Sequence, residues 1–129
     1  MLELTINEKT YQFNFNIAFM RSMNKMHRED AQKLFGEDAR SNAGLGVAMM
    51  AMFIDDDIDE LITVLMEANK GFDPRLKQKD LEDYLDDPDT DIEKVFEEVK
   101  NSLSSSNATR KEMKKVGDLL EELKKNETE

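Results

Sequence analysis

Ten consecutive residues without a charge, GLGVAMMAMF at positions 44–53, stand in a chain of 129 residues of which 36% are charged. Five carboxylates follow at once: Asp55, Asp56, Asp57, Asp59 and Glu60. Stepped at 100° per residue, Leu45, Met49, Met52 and Phe53 share one side of a helix, and Val47, Met50, Ala51 and Ile54 cover the other. A helix that is apolar all round must be covered all round. Two arrangements satisfy this. The segment is the central helix of its own domain, or one of its sides waits for a partner protein. Methionine suits a waiting surface, because its unbranched, polarisable side chain repacks against varied partners. Met49, Met50, Met52 and Phe53 are therefore the candidate partner-binding residues. A membrane anchor is excluded: residues 41–54 hold 14 uncharged positions, with Asn and two Gly among them, and a span needs roughly 20 mostly apolar ones.

The length suits one domain with a modest core. With no cysteine there is neither a disulfide framework nor a thiolate metal site, which agrees with a reducing cytoplasm. Met1 leads straight into Leu2-Glu3-Leu4-Thr5-Ile6, so no secretory leader is expected. The net charge of −11 belongs to the middle of the chain, where residues 55–98 carry 17 acidic and 5 basic side chains. Such a field repels nucleic-acid phosphates. It is a solvated surface, or else a mimic of DNA presented to a basic enzyme.

Leu2, Leu4 and Ile6 alternate with polar residues, as do Tyr11, Phe13 and Phe15, on either side of Asn7-Glu8-Lys9. Period two on both arms predicts a β-hairpin with one apolar face, although Glu8 stands where Gly suits the turn. Asn16 caps a helix with Ile17, Met20, Met23 and His27 inward, continued less regularly by Ala31, Leu34 and Phe35 as far as Gly36. After a loop at 37–42 comes the uncharged helix at 43–54. Asp57 caps the next, with Glu60 placed for a reciprocal capping bond, and Gly71 is its stop. Leu76, Leu81, Tyr84 and Leu85 predict a short helix, and Asp89 or Thr90 caps another that carries Ile92, Val95, Phe96, Val99 and Leu103 on one face. Beyond a serine-rich stretch, Met113, Val116, Leu120 and Leu123 form a seam on an otherwise charged helix. The seam is too short to hold alone. It docks on its own domain, on a second copy or on another protein, so these four residues are the candidates for self-association or partner docking. The expected fold is mainly α (α+β), an N-terminal β-hairpin packed on a bundle of about five to six helices. Residues 1–103 form the hairpin and helical core, 104–107 a Ser-rich linker, and 108–129 a C-terminal charged amphipathic helix.

Catalytic and metal signatures are missing from the pattern. Asp55, Asp57 and Asp59 have calcium-loop spacing, but Glu60 and Met66 stand where the sharp-turn Gly and the bidentate Glu belong. Asp87, Asp89, Asp91 and Glu98 come closer, with Ile92 in place of the Gly. Carboxylates opening a helix stabilise its dipole, which accounts for both clusters without a metal. His27 is the single histidine, and Gly44 and Gly46 lack the strand and lysine of a phosphate loop. No catalytic residue, metal or cofactor is expected.

The order of segments carries a resemblance. "LELTINEKTYQFNFNIAFMRSMNK" is followed by "GLGVAMMAMF", "IDELITVLMEAN", "RLKQKDLEDYLDD" and "DIEKVFEEVKNSLSSSNATRKEMKK". Over nearly its whole length the chain resembles the tail assembly chaperones of long-tailed phages and prophages of Gram-positive bacteria. That resemblance implies a non-enzymatic protein of the host cytoplasm, absent from the finished virion. Many copies would bind the long, helical tape measure protein and keep it soluble until the tail tube protein displaces them. It also implies that a longer product, made by a ribosomal frameshift, recruits the tube protein, this chain being the short form. Homo-oligomerisation is expected; nucleic acid and membrane are not among the partners. The alternative from composition alone is an acidic DNA mimic or inhibitor that binds a basic enzyme through residues 55–98.

Overall fold

The computed structural model describes residues 1–128, with side chains as far as Asn126. Strands β1 (Leu2–Ile6) and β2 (Lys9–Phe13) pair antiparallel, with Leu4 opposite Tyr11 and Leu2 opposite Phe13. Their alternation turns Leu2, Leu4, Ile6, Tyr11 and Phe13 to the core, as the period of two requires. Seven helices follow among the described residues: α1 (Ile17–Met26), α2 (Arg28–Phe35), α3 (Ala43–Phe53), α4 (Ile58–Asn69), α5 (Gln78–Asp86), α6 (Ile92–Ser105) and α7 (Arg110–Thr128). The mainly α fold with its hairpin is as the sequence implies. The helix beyond the expected six comes from a break at His27, which separates α1 from α2.

Local chemistry sets most of the boundaries. Asn16 caps α1 by accepting from the amide of Phe19 at 2.9 Å, and Asp57 caps α4 by accepting from that of Glu60 at 3.1 Å. Gly36 and Gly71 close α2 and α4 with positive φ, which a side chain resists. Two expectations are corrected. Asp91, not Asp89 or Thr90, caps α6, accepting from the amide of Lys94. Glu60 does not complete a reciprocal capping bond, because its carboxylate reaches across to His27 Nε2 at 2.6 Å.

The hairpin lies on α4, α5 and α6. Asn69 joins it to the helices. Its buried side chain accepts from the amide of Leu76 at 2.7 Å and from Arg75 at 2.9 Å, and donates to the carbonyl of Gln12 at 2.9 Å. Both the oxygen and the nitrogen of this buried amide are thus paired. The uncharged segment is α3, and it lies at the centre, packed against α1, α2, α4 and α7.

The stretch at 104–107, expected as a Ser-rich linker, joins the end of α6 to α7. Ser104 and Ser105 belong to the last turn of α6, and Ser106 donates its hydroxyl to the carbonyl of Phe15. Buried Thr109 donates to the carbonyl of Leu103 at 2.7 Å, and its own carbonyl accepts from the amide of Met113 at 2.9 Å. Serine hydroxyls spent on backbone groups make a tight corner here, where composition alone suggests flexibility.

Candidate functional site

The four residues singled out on α3 separate. Met49 is fully enclosed and Met52 is 1% exposed, each covered by helices of the same chain. Neither of these two candidate partner-binding residues offers a surface while the core is closed. Met50 and Phe53 remain half-buried at the edge of the core. The C-terminal seam divides as well. Met113 and Val116 are buried against their own domain, so the first half of α7 docks within the chain. Leu120 is half-buried, and Leu123 is 39% exposed.

Phe53 from the one cluster and Leu120 from the other meet at a groove of about 950 Å3 between α6 and α7, over the C-terminal end of α3, whose lining includes neither Met50 nor Leu123. Phe53, Phe96, Met113 and Leu120 supply its apolar lining, with the edge of Met52 beneath. Phe96 was placed on the inner face of its helix by sequence. In the structure Val95, Val99 and Leu103 are buried, and Phe96 stands one row aside, half-covered. Its flanking charges, Glu93, Glu97 and Lys100, were the signal that this row meets water. All three line the groove. Other apolar side chains are more exposed, Leu34 at 64% and Phe35 at 52% at the end of α2, with Ile17, Met26 and Ile58 elsewhere. The groove differs from these in being concave, with an apolar floor between polar walls, the form that receives an amphipathic helix.

The wall formed by α7 is held by contacts that sequence reasoning missed. Glu112, 3% exposed, takes a bidentate pair from Arg40 at 2.8 and 3.0 Å. Gly46 leaves the room: a Cβ there would meet the carboxylate of Glu112. Gly44 serves the opposite side of α3, where a Cβ would lie 2.7 Å from the backbone of Asn24. Asn24 accepts from the amide of Leu45 at 2.8 Å and donates to Asn42 at 3.0 Å, so α1 caps α3 across the interface. The two glycines that lacked the context of a phosphate loop are there for close packing.

His27 sits at the α1–α2 break, between Glu60 at 2.6 Å and Asp30 at 3.4 Å. The hydrogen bond to Glu60 raises its pKa above the ordinary 6.5, against the opposing effect of burial. It does not line the α6–α7 groove and ties α4 to the α1–α2 corner. The acidic middle of the chain is dispersed over α4, α5 and α6. Asp57 and Asp91 act as caps there and Asp83 pairs with Lys79 at 3.1 Å. No group of three or more potential metal ligands forms among the described residues, and none of their helices is long and apolar enough to cross a membrane.

No curated relative and no solved structure matches the chain. A comparison with protein families does: residues 3–118 match the family described as "Phage tail assembly chaperone protein, TAC". That stretch takes in nearly all of the hairpin, the enclosed α3, all of α6 and the first half of α7, and on it the chain belongs to the phage tail assembly chaperones.

Proposed function

We propose that this non-enzymatic chaperone binds the tape measure protein through the α3–α6–α7 groove, keeps it soluble and is displaced as the tail tube assembles. The observation that carries the reading is the groove itself. A rod-shaped helical client offers apolar stripes, and a concave strip floored by Phe53, Phe96 and Leu120 between charged walls is the matching receptor. The proposed site is thereby the rim of α3 and not its methionine face, with Phe53 retained. Several copies along one client would each bind weakly and together bind well, which lets the tube protein remove them one at a time. The exposed acidic surface of residues 55–98 keeps loaded complexes apart in the host cytoplasm, and the chaperone stays out of the virion.

Co-expression with the tape measure protein of the same phage tests this. Phe96→Glu and Leu120→Glu, both at half-buried positions, are expected to keep the melting profile and to leave the tape measure protein in the pellet. If client solubility survives both substitutions in a folded chaperone, the groove is not the site. Charge reversals at Asp80 and Asp83, on the far acidic surface, should leave solubility unchanged. Loss of binding there alone would favour the acidic-mimic reading instead.

A further inference from the structure

Charges are sorted along the groove. α6 and α7 pack on one another across the turn at 106–109, so they run in opposite directions. Beside that turn the lining is basic, with Lys100 from α6 and Arg110, Lys111 and Lys114 from α7. Away from it the lining is acidic, with Glu93 and Glu97 from α6 and Asp118 and Glu121 from α7. Lys124 is the one cation among the lining residues at that end, and Asp56 adds a further carboxylate from beyond α3.

We infer that the groove takes its client helix in a single direction, parallel to α6, with the client's N-terminus at the Glu93 and Asp118 end. The client segment is an amphipathic helix carrying Lys or Arg in its first turns and Asp or Glu in its last. This rests on the groove being the client site. Two effects point the same way. A helix N-terminus carries about half a positive charge and its C-terminus the opposite, which matches the acidic and basic ends of the groove. Complementary side chains then fix register and orientation. The wall of α6 from Glu93 to Ser104 extends about 17 Å, room for roughly three turns of client. Lysines at its start and carboxylates at its end oppose a free helix's own dipole, so such a segment folds poorly alone and depends on the groove.

The probes are two hydrocarbon-stapled peptides of about 14 residues with one composition and one Leu/Phe stripe, Lys-first or Glu-first. Stapling makes both helical before binding. Against the intact chain at low salt, the Lys-first peptide is expected to bind about tenfold more tightly, the sum of several weak surface pairs. A variant carrying Lys100→Glu, Lys114→Glu, Glu93→Lys and Asp118→Lys leaves neither end of the lining with a net charge and should abolish the preference. Equal affinity of the intact chain for the two peptides, or a preference undiminished in that variant, overturns the direction and leaves the groove as the site. Failure of both peptides to bind overturns the two together. Sedimentation showing that copies of the chain pair through the groove, with the pairing lost in the fourfold variant, would give the groove to a second copy and also overturn the proposal.

Discussion

Glu8 holds a backbone conformation that a side chain resists. It follows Asn7 in the hairpin connection, with φ of 68° and 52° respectively. Two left-handed residues suit the twist of paired strands, and asparagine tolerates the region better than glutamate does. Glu8→Gly should therefore stabilise the chain by about 1 kcal/mol, less what glycine loses in its freer unfolded state. Thermal unfolding would show it as a rise in midpoint. Gly44 is a position of the opposite kind. A Cβ there would press on the Cα and carbonyl of Asn24, which have no rotamer to escape into. Gly44→Ala is expected to cost about 2–3 kcal/mol by parting α1 from α3, read as a lower denaturant midpoint. The first constraint was visible in sequence, as a glutamate where a turn wants glycine. The second was not, since nothing around Gly44 names the neighbour that comes close.

Among the elements, those with a polar side read correctly from their own residues. The hairpin alternates, α4 and α6 carry stripes, and Asn16 and Asp57 cap as expected. α3 has no polar side, so its residues are silent on which side is covered first. α1 and α2 read as one helix until His27 broke them, and that corner gives a test. Because the folded pKa of His27 is raised, its contribution to stability is complete below the unfolded value near 6.5 and is lost as pH rises through the folded value. Urea titrations of the chain and of His27→Asn should therefore differ most in acid, below pH 6.5, and converge as pH rises. A difference that grows with pH would contradict the pairing with Glu60.

For the molecule as a whole, α7 is part of the core and not an appendage. Met113 and Val116 close over α3, and Glu112 is buried with them. A chain cut after Ser105 should thus expose α3 and lose its single cooperative transition, while one cut after Asp118 keeps these contacts and should melt nearly as the full chain does. Dye binding to exposed apolar surface would report the difference. The same docking creates the groove, since α7 supplies one of its walls. The function proposed above asks for no naked methionine face, only for a closed core whose rim, at Phe53, Phe96 and Leu120, is left half-covered.

The chain's own residues determined the hairpin, most helix ends and the acidic middle, because turns, caps and periodicity act over a few positions. They also carried the family likeness, which lies in the order of those segments. Only the tertiary structure decided that Met49 and Met52 are internal, that Arg40 finds Glu112 across 72 positions, and that α6 and α7 leave a groove between them. The reason is physical: an apolar side chain specifies that it will be covered, and the covering surface is chosen by packing among segments far apart in sequence.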